Sequence, residues 1–321
     1  MNPFQLYREV LCDRTSLIKW CKEKGLIASR MMCPECDSSM KFYENKGNLG
    51  TWICNRRHNS GNKKTPKSKR KQRKNIKIAA SIHSWFYKSR ISPVKVIVLT
   101  YAWCKKMSYA DTVELCNSIL EEEEKYLSSE TVSDWFSYCR EVTIDALDRL
   151  YEKKEKIGGE GHIVEVDETK FGKRKHNKGR MVEGSWIFGM IDITSESECA
   201  YRLEICEDNK RDEATLISYI QKHVKEGTTI YSDCWKAYVN LEEYGYKHYT
   251  VNHSVEYVTS EGVHTNNIEA SWRPLKRALH YTNKDKLGEH LCEYLWRREC
   301  RMMQKKPFQV FIENIKELYR E

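Results

Sequence analysis

The sequence predicts an α/β catalytic domain that follows a small metal-binding module and a helical region. After Gly158-Gly159, helical periodicity gives way to short apolar runs that alternate with amphipathic stretches, as in a sheet covered by helices. Three carboxylates stand at regular points of this pattern. Asp167 and Asp233 each end a predicted strand, and Glu269 lies in the first turn of a predicted helix. Such a set can hold two divalent metal ions, Mg²⁺ or Mn²⁺ because the ligands are hard oxygens, and this indicates phosphoryl-transfer chemistry.

Composition limits the class of protein. The chain of 321 residues has room for two or three domains. It has no apolar run long enough to cross a membrane and no signal-like N-terminal segment, so we expect a soluble, intracellular protein with no membrane partner. Its thirteen cysteines are odd in number and scattered, which favours buried thiols with a metal-binding subset over a disulfide framework.

The net charge of +9 is concentrated in one stretch of the chain. No acidic residue lies between Glu44 and Asp111, yet 17 of the 55 lysines and arginines do, which leaves 38 basic against 46 acidic residues elsewhere. Such a block predicts binding to a polyanion such as double-stranded DNA. Its densest part, Lys63–Lys74, is a DNA-contacting tract, a nuclear import signal or a solvated linker. Its candidate DNA contacts are Lys67, Lys69, Arg70, Lys71, Arg73 and Lys74.

A zinc-ribbon-like module is predicted ahead of this tract. Cys33 and Cys36 form a C-x2-C pair, and Cys54 and His58 follow after two short strand-like runs. Three thiolates and one imidazole suit a single tetrahedral Zn²⁺. The alternative is two buried structural thiols and a surface histidine.

The region 76–156 is predicted to be helical. Apolar residues recur at helical spacing after Ser128, which is the expected N-cap of the last helix. Three helices with a short turn before the last are compatible with a DNA-binding helix-turn-helix or with a purely structural bundle. The predicted division is therefore an N-terminal helical segment (1–30), the zinc module with the basic tract (31–75), this helical region, the catalytic domain (157–300) and a C-terminal helix (301–321).

Three consecutive strands open the catalytic domain, and helix and strand alternate after them. We expect strands at 163–167, 186–193, 199–206, 228–233 and 247–251, and helices at 212–224, 236–244 and 267–280. A carboxylate-bearing helix after this order is the pattern of an RNase H-like α/β fold.

Each carboxylate also has a structural interpretation. Glu165 and Glu168 flank Asp167, and strand alternation places Glu165 on the same face as Asp167 and Glu168 on the other. Asp233 could cap the next helix. Glu269 could complete a capping box as the N3 residue of a helix whose N-cap is Asn266. The joint occurrence of all three at the expected elements favours the metal site.

Five strings resemble the DDE transposases of the Merlin family and their bacterial insertion-sequence relatives: VDETKFGKRKHNKGR, IFGMID, YSDCWKAY, VNHSVEYV and HTNNIEASWRPLK. The resemblance implies that Asp167, Asp233 and Glu269 are the catalytic triad and hold two Mg²⁺ or Mn²⁺ ions. It also implies a cut-and-paste transposase that acts on double-stranded DNA in the nucleus, and synapsis of two ends implies a homodimer or larger assembly. In the zinc module, His58 departs from the cysteine expected for the last ligand.

Further DNA contacts are predicted on both sides of the triad. Basic residues lie in the turn after Asp167 and on the helix of Glu269, where the alternative is a solvated basic face. They are Lys173, Arg174, Lys175, Arg273, Lys276 and Arg277. Two other functions stay open: a domesticated nuclear DNA-binding protein that does not cut, and a nuclease or resolvase that needs no strand transfer.

Overall fold

A computed structural model describes residues 1–45, 48–56, 58, 75–119, 126–171, 184–195, 200–252, 254–255, 257–280 and 282–319. The chain divides into two compact units, Met1–Ala146 with Gln304–Glu321, and Leu147–Met303. None of the helices in the described ranges combines the length and apolar character that crossing a membrane requires.

The first unit contains a small antiparallel sheet and several helices. Its strands are β1 (Lys41–Tyr43), β2 (Thr51–Ile53) and β3 (Lys77–Ala79), in that spatial order. Its helices are α1 (Pro3–Leu6, followed by a π-helical turn at Tyr7–Leu11), α2 (Arg14–Glu23), α3 (Pro93–Cys104), α4 (Tyr109–Ser118), the first part of α5 (Ser129–Lys153) and α9 (Pro307–Leu318).

Apolar and aromatic packing holds this unit together. Helix α3 is predominantly apolar, with Lys95 and Thr100 as its buried polar residues, and ten of its twelve residues are buried, as expected of a central helix. Two phenylalanines of α9 pack on aromatic rings of α3. The ring centroids of Phe311 and Trp103 are 5.0 Å apart, and those of Phe308 and Tyr101 are 5.1 Å apart. Residues 120–125, between α4 and α5, lie outside the described residues, so the helix-turn-helix stays a prediction.

The second unit is a five-stranded mixed sheet, and the predicted α/β class is confirmed. Its strands lie in the order β6-β5-β4-β7-β8, antiparallel from β6 to β4 and parallel from β4 to β8. They are β4 (Ile163–Phe171), β5 (Ser185–Asp192), β6 (Tyr201–Ile205), β7 (Thr229–Asp233) and β8 (Lys247–Val251). The helices are α6 (Glu213–His223), α7 (Asn266–Ala278) and α8 (Leu287–Met302).

One face of this sheet forms the apolar core. Strand residues that point to α6 alternate with residues that point to the opposite face, where α7 packs on β4 and β5. Each fully buried aliphatic side chain contributes about 1.5–3 kcal/mol. The core includes Val164, Val166, Phe188, Met190, Leu216, Ile217 and Ile220.

Candidate active site

Asp167 and Asp233 lie on adjacent parallel strands. The β4–β7 pairing runs from Ile163↔Thr229 to Glu165↔Tyr231. Two residues further along the same register, Asp167 stands beside Asp233, and side chains at this spacing share one face of the sheet. The expectation that Asp167 ends its strand is wrong, because β4 continues to Phe171 through its pairing with β5. Strand β7 does end at Asp233, so the two aspartates lie two residues beyond the last paired residues of β4 and β7, Glu165 and Tyr231.

Asp167 is held by two donors. The indole Nε1–H of Trp272 donates to its Oδ2 at 2.6 Å, and the backbone N–H of Glu168 donates to its Oδ1 at 2.8 Å. Burial raises the pKa of Asp167 to about 6, although the two hydrogen bonds act to lower it. The negative charges of Asp233 and Glu269 add to the rise. The charges of Asp233 and Glu269 therefore both act on Asp167.

The Trp272 contact depends on a missing side chain. Gly189 of β5 pairs in register with Asp167. A Cβ at Gly189 would collide with the ring of Trp272 and would lie 2.9 Å from Cδ1 of Ile268. Glycine thus lets α7 approach the sheet closely enough for Trp272 to reach Asp167.

The other two carboxylates are more accessible. Asp233 is half-buried and accepts a hydrogen bond from the backbone N–H of Trp235 at 2.9 Å. Glu269 is exposed on α7, and the hydroxyl of Thr265 donates to its Oε1 at 2.8 Å. The alternative interpretation of Glu269, a capping box with Asn266, is contradicted by the structure. Thr265 is the N-cap and Asn266 is the first helical residue, so Glu269 lies one position beyond N3.

Glu168 adds a fourth carboxylate on the opposite face. The hydroxyl of Tyr238 donates to its Oε1, and a guanidinium nitrogen of Arg211 lies 3.9 Å from its Oε2. Burial raises the pKa of Glu168 to about 7, and the charges of Asp167 and Asp233 contribute. Arg211 is held in place by Trp186 and Trp235, whose rings each lie 4.2 Å from its guanidinium carbon.

The donor set of Asp167, Asp233 and Glu269 fits divalent cations with hard oxygen preference. Burial, with a smaller contribution from the charges of Asp233 and Glu269, raises the pKa of Asp167, and a cation bound to these carboxylates would offset that repulsion. Partial exposure of Asp233 and Glu269 leaves room for substrate oxygens, as a catalytic rather than a structural metal site requires.

The predicted basic residues on α7 lie near Glu269 along the helix. Arg273, Lys276 and Arg277 are all exposed. At four, seven and eight residues after Glu269, they share its side of the helix. Six predicted contacts of the basic tract and three of the turn after β4 lie outside the described residues. They are Lys67, Lys69, Arg70, Lys71, Arg73, Lys74, Lys173, Arg174 and Lys175.

In the first unit, the four predicted zinc ligands lie together. The ligand atoms of Cys33, Cys36, Cys54 and His58 are all within 4.8 Å of one another. His58 Nε2 lies 3.5, 3.9 and 3.2 Å from the sulfurs of Cys33, Cys36 and Cys54, and the sulfurs of Cys36 and Cys54 are 3.8 Å apart.

These distances suit a tetrahedral zinc ion. Bonds of about 2.3 Å to sulfur and 2.0 Å to nitrogen give tetrahedral edges of about 3.8 Å between sulfurs and about 3.6 Å between sulfur and nitrogen. The Glu35 carboxylate lies 3.6 Å from His58 Nδ1, where it can orient the imidazole. The residues therefore fit one structural Zn²⁺.

Comparison with known proteins places a transposase-like region in the second unit. No curated protein matches the sequence. The Mos1 strand transfer complex is similar at 11% identity and a TM-score of 0.26, over 70% of this chain and 97% of that one. A Mos1 transposase paired-end complex with the left transposon end is similar at 11% identity and a TM-score of 0.27, over 70% of this chain and 94% of that one. At such TM-scores the overall folds correspond only loosely. Residues 158–301 match the family model described as an ISXO2-like transposase domain, which supports a DNA transposase of insertion-sequence type.

Proposed function

We propose that the chain is a DDE transposase with an RNase H-like catalytic domain, which cleaves DNA at the ends of a mobile element and joins the 3′ ends to target DNA. The observation that carries this proposal is the placement of three carboxylates within the region that matches the transposase family model: Asp167 and Asp233 lie on adjacent strands, and the charge of Glu269 acts on Asp167. Along the chain, the second unit has three consecutive strands, then α6, β7 and β8, and then α7, which agrees with the element order predicted for this fold except at residues 236–244.

In this proposal Asp167, Asp233 and Glu269 hold two Mg²⁺ or Mn²⁺ ions. When bound, such a metal pair activates the attacking oxygen and stabilises the leaving oxygen of an in-line displacement at phosphorus. The chain itself holds the ligands in place. Trp272 fixes the orientation of Asp167, and Thr265 does the same for Glu269.

The DNA backbone would lie along the exposed basic side of α7. Arg273, Lys276 and Arg277 would contact phosphates near the scissile bond, because they follow Glu269 on the same side of the helix. The basic residues of the turn after β4 and of the Lys63–Lys74 tract would add sequence-independent affinity.

The finer assignments rest on the resemblance of the five strings to Merlin-family enzymes. These assignments are a cut-and-paste reaction, two transposon ends held by a homodimer or larger assembly, and action in the nucleus. The basic tract supplies a candidate import signal, and the cysteine and histidine cluster supplies a structural zinc in the DNA-binding part.

Cleavage of the element's own ends tests the proposal. The full chain is incubated, in Mg²⁺ or Mn²⁺, with DNA that contains the sequences flanking its coding region, together with a target plasmid. We expect breaks at defined positions and joined products with the wild type and with the exposed control Glu243→Gln.

We expect Asp233→Asn and Glu269→Gln to bind the same DNA and to give neither product, because each swap keeps the side-chain shape but removes a charge that the metals require. Binding without cleavage by the wild type would favour a DNA-binding protein. Cleavage by Glu269→Gln at the wild-type rate would remove Glu269 from the site.

A further inference from the structure

The N-terminus of α7 is capped from a distant strand. Thr265, the N-cap residue, makes no side-chain cap hydrogen bond. The orphan N–H of Ile268 donates instead to Oε2 of Glu165 at 2.8 Å. Glu165 belongs to β4 and lies two residues before Asp167, so the cap joins the strand that carries one metal ligand to the helix that carries another.

Two more groups complete the environment of Glu165. Its Oε1 accepts a hydrogen bond from the side-chain amide of Asn267 at 2.7 Å and lies 3.0 Å from Nδ1 of His264. The Glu165 side chain is fully buried. Both of its oxygens are therefore engaged by the segment that leads into α7, which distinguishes it from the more accessible Asp233 and Glu269.

A buried carboxylate is a strict positional constraint. Loss of one partner leaves the buried charge less well compensated, so the two donors, the nearby imidazole of His264 and the carboxylate keep a narrow relative geometry. The same segment supplies Thr265, itself buried, whose hydroxyl holds Glu269. One turn further along α7, Trp272 reaches Asp167. Helix α7 is thus tied to β4 on both sides of Glu269.

We infer that Glu165, His264 and Asn267 form a positioning clamp that sets Glu269 in place for the metal pair. This inference rests on the proposed function, since it concerns the same metal site. It assigns separate roles within the HTNNIE string. Asn267 donates a hydrogen bond to Glu165, His264 places its imidazole 3.0 Å from the same carboxylate, Thr265 holds Glu269, and Glu269 is the ligand. None of the three clamp residues is a metal ligand in this assignment.

Metal binding without DNA tests the clamp. The full chain, in its zinc-loaded form, is titrated with Mn²⁺, and free Mn²⁺ is followed by electron paramagnetic resonance. We expect Glu165→Gln to weaken Mn²⁺ affinity about 10- to 100-fold, the usual effect of losing a group that orients a metal ligand. The exposed control Glu243→Gln leaves affinity unchanged. Because the clamp acts through Glu269, high Mn²⁺ concentration should return the cleavage rate of Glu165→Gln to near the wild-type value.

Two further variants separate positioning from a general loss of folding. Asn267→Ala removes one of the two donors to Glu165 and should weaken Mn²⁺ affinity less than Glu165→Gln does. His264→Asn keeps a polar group near the position of Nδ1, whereas His264→Leu does not, so the asparagine variant should bind Mn²⁺ more tightly than the leucine variant. Equal losses in His264→Asn and His264→Leu would overturn the role of His264 in the clamp.

The variant Asp233→Asn distinguishes failure of the clamp from failure of the proposed function. If Asp233→Asn lowers Mn²⁺ affinity but Glu165→Gln and Asn267→Ala match the wild type, the clamp alone is refuted. If Asp233→Asn binds Mn²⁺ like the wild type, the metal site of the proposed function is refuted. A cleavage defect in Glu165→Gln that saturating Mn²⁺ leaves unchanged would make Glu165 a ligand and overturn the positioning role.

Discussion

In the metal-free protein, the substitution Asp167→Asn should favour stability more at neutral pH than in acid. The quantity to compare is the free energy of unfolding of the variant minus that of the wild type, at each pH. Burial and the charges of Asp233 and Glu269 raise the pKa of Asp167 from 3.8 to about 6. A carboxyl whose pKa is higher in the folded state than in the unfolded state binds protons more tightly when folded. Its contribution to stability is therefore lost as the pH rises from the unfolded to the folded pKa.

The size of this effect follows from the two pKa values. A shift of about two units corresponds to about 3 kcal/mol, which is fully lost above pH 7. At pH 4.5 about a third of that loss is already present, because this pH lies above the unfolded pKa. Asparagine has no such titration. The stability of Asp167→Asn minus that of the wild type should therefore rise by about 2 kcal/mol between pH 4.5 and pH 7.5.

The absolute difference at one pH is less informative than this change. Asparagine can still accept from Trp272, but its amide group would face the backbone N–H of Glu168, which loses about 1 kcal/mol of hydrogen bonding at every pH. The comparison of two pH values removes this constant contribution.

Urea unfolding in divalent-free buffer measures the effect. With two compact units there can be two transitions, and the relevant one is the transition that added Mn²⁺ moves to higher urea. Asp285→Asn, an exposed substitution in the same unit, is the control and should show no such pH dependence. If the free energy of unfolding of Asp167→Asn minus that of the wild type is equal at both pH values, the electrostatic reasoning is refuted. With saturating Mn²⁺ at pH 7.5, the wild type should instead be the more stable of the two proteins.

Three further predictions concern other parts of the chain. Gly189→Ala should destabilise the protein by about 1–3 kcal/mol and weaken Mn²⁺ affinity, because its Cβ would push Trp272 away from Asp167, and urea unfolding with Mn²⁺ titration would show both effects. The purified chain should contain one zinc ion per molecule and lose circular dichroism signal when a strong chelator removes it, and a zinc content near zero would contradict the assigned cluster. Neutralising the basic residues of Lys63–Lys74 should weaken binding to all DNA sequences. It should also flatten the slope of log K against log salt by about 0.9 per lost phosphate contact, and an unchanged slope would leave the tract as a linker or import signal.

Periodicity predicted the strands of the second unit to within two residues, except at the end of β4, because aliphatic and aromatic residues recur in these runs. The expected strand 247–251 matches β8, and the expected 228–233 differs from β7 by one residue. The end of β4 was missed because Asp167 and Glu168 interrupt the apolar run, while backbone pairing with β5 carries the strand on to Phe171. Side-chain patterns do not report backbone pairing of this kind.

The helix expected at 236–244 is wrong for a different reason. The structure has two short 3₁₀ turns there, Lys236–Tyr238 and Leu241–Tyr244, and Gly245 follows at a φ of 83°. Apolar residues at helical spacing occur in both arrangements, since the buried Ala237, Tyr238 and Leu241 point inward from successive tight turns.

The acidic residues of the candidate site could be proposed from sequence, but their supports could not. The spacing of Asp167, Asp233 and Glu269 suggested one site, and the structure brings Asp167 and Asp233 onto neighbouring strands. The partners of Glu165 lie about a hundred residues further along the chain. Only the folded sheet brings them together. From the sequence, the cap that could be proposed for this helix was the local one of Asn266 and Glu269.

Two carboxylates on one face of β4 illustrate how surroundings decide the role of an acidic residue. Glu165 is fully buried and has donors at both oxygens, so its charge is compensated within the chain. Asp167 has two donors among the described residues but also faces the charges of Asp233 and Glu269, which help to raise its pKa. A compensated carboxylate stabilises the junction of strand and helix. An under-compensated one is destabilising without a cation, and for that reason binds a cation strongly. Under the proposed function, the same strand would supply a rigid anchor at residue 165 and a metal ligand at residue 167, and the anchor would limit how far the acidic side chains can move apart.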